Sequence, residues 1–164
     1  MSFRLDNEAK ARVIQALLRQ VQAELEGMEA VAEAARDEAT STETKAEGKY
    51  DTRATEASYL ARGQAWRIIE LRRQVAWLSN VAPAVRLAEA VVQVGALVEV
   101  EGARTEVLFI APFGGSRVDT EGQPVRVVSP SSPLGEAMVE LEAGDVFEVD
   151  SPRGLVTYRI RSVV

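Results

Sequence analysis

Small and apolar side chains recur along the first half of the chain in alternating steps of four and three. In the first arm they are Ala11, Ile14, Leu18, Val21, Leu25, Met28, Ala32, Ala35 and Ala39. In the second they are Tyr50, Ala54, Ala57, Ala61, Gln64, Ile68, Leu71, Val75 and Leu78. That spacing keeps one stripe of a helix facing a partner helix, as in a coiled-coil seam. The two stripes mirror each other about Thr44 and Lys45, so the pattern predicts an antiparallel helical hairpin with Leu18 opposite Leu71 and Ala11 opposite Leu78. Each arm holds 29 residues, a rod of roughly 43 Å at about 1.5 Å per residue. Alanine replaces Leu, Ile and Val towards the tip, which predicts a slim distal end. Gln64 is the polar seam residue, of the kind that fixes register.

The period changes after Asn80–Pro83, where proline cannot continue a helix. Residues 81–95 read as a connector. From residue 96 the stretch LVEVEGARTEVLFIAP alternates apolar and polar positions around Glu101-Gly102, the pattern of a β-hairpin. Gly114, Gly115 and Gly122 mark loops, and PVRVV reads as a short strand. SSPLGEAM predicts a loop and a short helix capped by Ser132 with Pro133 at its first position. Two further strands join through Ser151-Pro152-Arg153-Gly154. The expected fold class is α+β: a helical hairpin over residues 1–80, a connector, and an antiparallel sheet domain with one short helix over 96–164.

Composition narrows the chemistry. The chain has 164 residues, no cysteine and no histidine. It therefore holds no disulfide, no thiol nucleophile, no Ser-His-Asp triad and no His-ligated metal. A metal would have to sit on oxygen ligands, which favours magnesium, calcium or manganese. No apolar run approaches membrane-spanning length, so a cytoplasmic protein without a membrane partner is expected. The net charge of −6 argues against nucleic acid as the partner of the whole surface. Charge is uneven within the hairpin. The later half of the first helix is acidic, and the second helix carries Arg53, Arg62, Arg67, Arg72 and Arg73 against Glu56 and Glu70. Flank salt bridges are the plain reading of those arginines; a stripe that meets RNA or an acidic protein groove is the sharper alternative.

The tip reads TSTETKAEGKYDTR. Glu43, Glu47 and Asp51 stand four apart, and so do Lys45, Lys49 and Arg53. Helix stability alone would set acid against base at that spacing. Like against like suits an end that meets a metal ion and phosphates; a solvated charged turn with an accidental pattern is the plain alternative.

The C-terminal segments VVSPSSPLGEAM and EAGDVFEVDSPRGLVTYRIRSVV resemble the Gre family of bacterial transcript-cleavage factors. The resemblance rests on Ser132-Pro133-Leu134-Gly135, on Gly144-Asp145 before a strand, and on the closing strand from Gly154 through Tyr158 to Ile160. The order hairpin, connector, sheet domain also agrees. The resemblance implies an FKBP-like sheet domain that binds RNA polymerase, with Ser132, Pro133, Leu134 and Gly135 as the docking residues and Leu134 exposed. It implies a monomer whose hairpin enters the polymerase's secondary channel. Glu43 and Glu47, with Asp51 as third candidate, would act there. The two glutamates would share a Mg2+ ion with the polymerase's active centre, which then cleaves backtracked RNA. The protein itself would not be an enzyme. The basic second helix would contact nascent RNA. Aligned on Tyr50, the family's tip pattern puts Glu43 at the first acid, Ala46 at the second, Glu47 at an asparagine and Lys49 at a later glutamate. The resemblance therefore also admits a non-cleaving factor that inhibits or retunes the polymerase through the same channel. A prolyl isomerase and a plain coiled-coil adaptor are the rivals from other classes.

Overall fold

A computed structural model describes residues 4–42, 52–81 and 91–164. Two long helices, α1 (Asn7–Thr42) and α2 (Thr52–Val81), precede six strands and a short helix. The chain divides into two compact units: residues 18–77, and residues 1–17 together with 78–164.

The first unit is the distal hairpin. Val21, Ile68 and Leu71 are buried, and Leu18, Leu25, Met28, Ala32, Gln64 and Val75 are half-buried, so the predicted stripe is the inner one. The register differs from the sequence expectation. Ala32, Ala35 and Ala39 line one cavity of about 320 Å³ with Ala57, Ala61, Gln64 and Ile68. Arg67 pairs with Glu24, and Arg72 with Glu29. Together these contacts centre the two arms near residue 48, about one heptad from the arrangement that sets Leu18 against Leu71. The physical reason is that a four-three stripe repeats every seven residues. It selects a face and leaves the slip between partners to the length of the turn. Ala35, Ala39, Ala57 and Ala61 are exposed around that cavity.

The second unit holds the hairpin's base and the sheet domain. Asp6 caps α1, its Oδ1 accepting from the Ala9 N–H at 2.8 Å. Ala9, Lys10, Val13, Ile14 and Leu17 are buried here while Ala11 is exposed. The buried face of α1 is thus wider at the base than a coiled-coil seam, and it drops the Ala11 position.

The strands are β1 (Leu97–Glu101), β2 (Thr105–Ile110), β3 (Arg117–Thr120), β4 (Gln123–Val128), β5 (Val146–Ser151) and β6 (Gly154–Val163), with α3 (Pro133–Met138) between β4 and β5. Their order in the sheet is β3-β4-β2-β1-β6-β5. The β1–β2 hairpin, the β4 strand, the short helix and the β5–β6 hairpin lie where the sequence placed them. The sheet is mixed, not wholly antiparallel as expected: β2 and β4 run parallel, with Val107 beside Val125 and Phe109 beside Val127. Alternation reports which face a residue occupies and is blind to strand direction. The β3 strand between the loop glycines went unread, and with it the crossover that returns β4 beside β2. A two-residue turn, Glu121-Gly122, joins β3 to β4 with φ of 57° and 81°, the backbone that favours a twisted hairpin.

Each sheet face is buried. Val98, Val100, Leu108, Ile110, Val128 and Ile160 form one core with Leu134 and Met138 of α3, Phe147 of β5 and Val92. On the other face Val107, Phe109, Val118, Val125 and Val127 are buried as well. The Arg12 guanidinium reaches Glu121 at 3.6 Å, which sets the base of α1 beside the β3–β4 turn. Among the described residues no helix is long and apolar enough to cross a membrane.

Candidate functional site

The Ser129–Gly135 segment is a tightly built corner. Ser132 is the N-cap of α3: its Oγ accepts from the Gly135 N–H at 3.1 Å and donates to the Ser129 carbonyl at 2.7 Å. Ser129 and Ser131 share a hydroxyl–hydroxyl hydrogen bond of 2.8 Å. Gly135 is there because nothing larger fits. A Cβ on it would stand 2.0 Å from the Ser129 carbonyl oxygen.

Burial divides the four expected docking residues. Pro133 is exposed, Ser132 is half-buried and Gly135 is buried. Leu134 is 8% exposed and belongs to the core. The expectation that Leu134 is exposed is therefore corrected. As the second residue of a capped helix, it turns inward onto the sheet, where an apolar side chain is most stable.

The other two signature elements are also structural. Gly144 has φ of 103°, a backbone that favours glycine, and Asp145 closes the turn by accepting from the Glu142 N–H at 2.8 Å. Gly154 has φ of 110° in the β5–β6 turn, and the Ser151 hydroxyl donates to its carbonyl at 2.7 Å. Tyr158 stacks on Phe147 with ring centroids 5.4 Å apart.

Glu43, Glu47 and Asp51 lie outside the described residues, and so does the expected fold-back at Thr44 and Lys45. Among the described residues no group of three or more acidic side chains comes together as a metal site. On α2, Arg67 and Arg72 pair with Glu24 and Glu29 across the hairpin, and Arg73 pairs with Glu70 within the helix. The flank salt-bridge reading holds for these. Arg62 lies 5.8 Å from the Tyr59 ring centroid.

The sequence reading missed one constellation. Arg104, Arg117 and Arg126 line a single cleft of about 430 Å³ beside β2, β4 and β3. They are far apart in sequence, and the unread strand carries one of them, so only sheet register brings them together.

A two-helix hairpin followed by a mixed sheet with a Ser-capped short helix defines a class of two-part proteins. Residues 87–164 match the family described as transcription elongation factor, GreA/GreB, C-terminal. The chain is Gre-like: a helical hairpin followed by that family's C-terminal domain. Similar solved structures include GreA factor homolog 1 (Gfh1) of Thermus thermophilus, 18% identical over 90% of this chain and 94% of that one, with a TM-score of 0.37. Gfh1 of Thermus aquaticus is 19% identical over 91% and 94%, with a TM-score of 0.38. A GreA/GreB elongation factor from Nitrosomonas europaea is 26% identical over 49% and 66%, with a TM-score of 0.37. No curated protein gives a significant match.

Proposed function

We propose that this chain regulates bacterial RNA polymerase by entering its secondary channel with the hairpin, and that it retunes the enzyme without stimulating RNA cleavage. The family of the C-terminal domain supports the choice of partner. The observation that carries the non-cleaving reading is the tip: alanine, Ala46, stands where the Gre pattern has its second acid, and Lys49 replaces a later glutamate. An alanine cannot hold a metal or orient a water. The docking contact in this reading is the Ser132–Gly135 segment, with Pro133 as its exposed member and Leu134 and Gly135 holding it in place. The protein works as a cytoplasmic monomer on the polymerase's own active centre, and Arg62 is the cation on α2 that meets nascent RNA.

One observation favours cleavage stimulation as a second reading. Three acids, Glu43, Glu47 and Asp51, stand four apart in the stretch of sequence where the two stripes of the hairpin meet. In that reading Glu43 and Glu47 hold the Mg2+ ion shared with the polymerase. An FKBP-like sheet domain belongs to this proposal without isomerase activity. Phe109 is fully buried and Phe147 and Tyr158 stack on each other, so these rings serve packing.

Co-elution with core RNA polymerase tests the partner. The full chain is expected to bind and to slow nucleotide addition, and a chain lacking residues 30–64 is expected to bind without slowing it. Failure of the full chain to bind removes the proposal.

A further inference from the structure

Residues 81–164 are acidic, with 7 basic residues against 12 acidic ones. Three of those seven, Arg104, Arg117 and Arg126, nevertheless line the one cleft of about 430 Å³. Arg117 and Arg126 are direct partners across the β3–β4 ladder. Like charges directly opposite on neighbouring strands destabilise a sheet. Alternation along β2 puts Glu106 on the same face as Leu108, which is level with Arg126. Among the described residues none of the three guanidiniums makes a hydrogen bond or ion pair, whereas Arg12, Arg67, Arg72, Arg73 and Arg161 all do. The cleft therefore combines a costly like-charge pair, a third cation and unused donors on a rigid sheet.

We infer that this cleft is a binding site for a ligand carrying two or more adjacent phosphate groups, held by Arg104, Arg117 and Arg126. Arginine's planar fork matches phosphate oxygens two at a time. Arg117 and Arg126 face each other on β3 and β4, about 5 Å apart, and Arg104 stands in the β1–β2 turn just before β2, the next strand along. Adjacent phosphates concentrate two or more charges over such distances. An acidic peptide brings single carboxylates and relies on apolar anchors, and this cleft offers only Val107, itself buried, and Pro124. Glu106 adds an acceptor at the rim, suited to the hydroxyl or amino groups of a nucleotide. A nucleotide polyphosphate and the backbone of a nucleic-acid strand share this chemistry. The site does not depend on the polymerase reading, and it is tested without polymerase.

The experiment is calorimetric titration of the full chain with sodium tripolyphosphate, with a 12-nucleotide single-stranded RNA and with a glutamate-rich peptide, at fixed low salt. Tripolyphosphate binding identifies a compact polyphosphate; RNA binding without it identifies a strand backbone. In either case Arg117→Gln and Arg126→Gln are each expected to weaken binding by about tenfold or more, as for the loss of a charged hydrogen bond. Arg153→Gln, in the exposed β5–β6 turn, is expected to leave it unchanged. The melting temperature of unliganded Arg126→Gln should equal or exceed the parent's, because the variant relieves like-charge repulsion. The inference is overturned if neither phosphate probe binds, if the peptide binds more tightly than both, or if Arg153→Gln weakens binding as much as the cleft variants. A marked fall in the melting temperature of Arg126→Gln would also overturn it, since the arginine would then be structural.

Discussion

Replacing Gly135 by alanine should destabilise the sheet domain although it adds only one methyl group. The new Cβ would lie 2.0 Å from the Ser129 carbonyl oxygen, 2.8 Å from its carbon and 2.9 Å from the Pro130 Cα. All three neighbours are backbone, so no side chain can rotate out of the way. The Ser129–Ser132 turn has to move. It is held by the Ser132 N–H to the Ser129 carbonyl at 3.0 Å and by the Ser132 hydroxyl to the same oxygen at 2.7 Å. Overpacking of this kind costs about 1–3 kcal/mol. Losing one of those hydrogen bonds adds about 1 kcal/mol. Alanine's better helix propensity returns about 1 kcal/mol. The net expectation is a loss of about 1–3 kcal/mol in urea unfolding followed by circular dichroism. Polymerase affinity should fall with it, because the same corner presents Pro133. A variant within about 0.5 kcal/mol of the parent, the range of ordinary surface changes, would refute the steric reasoning.

Leu134→Asp should unfold or severely destabilise the sheet domain, because it puts a carboxylate into the core beside Met138; a folded domain that loses only polymerase binding would restore the exposed-loop expectation. Ala35→Cys with Ala61→Cys should crosslink within one chain faster than Ala35→Cys with Ala54→Cys, and the reverse order would reinstate the sequence register. Lys10 is buried, its ammonium has no hydrogen-bond partner among the described residues, and burial lowers its pKa from 10.5. The unfolded chain then holds that proton more tightly, so stability should rise with pH from the folded pKa up to 10.5. Lys10→Met should stabilise the protein at pH near 7 and flatten that rise, read as urea midpoints at neutral and alkaline pH; a destabilised Lys10→Met would contradict it. Glu121→Gly should relieve the left-handed backbone at φ 57° and cost only the exposed Arg12 pair, leaving a net gain of up to about 1 kcal/mol in urea unfolding.

Element identity was legible because it rests on local chemistry. The four-three stripe, the Ser132 cap and the Ser151–Gly154 turn each carry their own signal, whereas Pro83 lies outside the described residues. What failed is non-local. Helix register depends on how a periodic stripe is offset against its copy, and the offset was misplaced by about one heptad. Strand direction depends on the β3 crossover, and Arg117 of that strand meets Arg126 only through it. Leu134 shows a different limit. The Ser132 cap placed the helix start correctly, but a first helical turn carries no local signal for which of its residues packs onto the sheet, and Leu134 does. Ser132, Gly135 and Gly144 answer to separate local needs: a helix cap, a close backbone approach and a positive φ.

The central claim is that the tip, with Ala46 in place of an acid, does not stimulate cleavage while the chain occupies the polymerase. The most direct measurement is the length of labelled RNA in a backtracked polymerase complex after addition of saturating protein and Mg2+. The account predicts that the RNA stays at its starting length while the protein is bound and resumed synthesis is slowed. RNA shortened from its 3′ end, and lost again in Glu43→Ala or Glu47→Ala, would contradict it and establish the cleavage reading in its place.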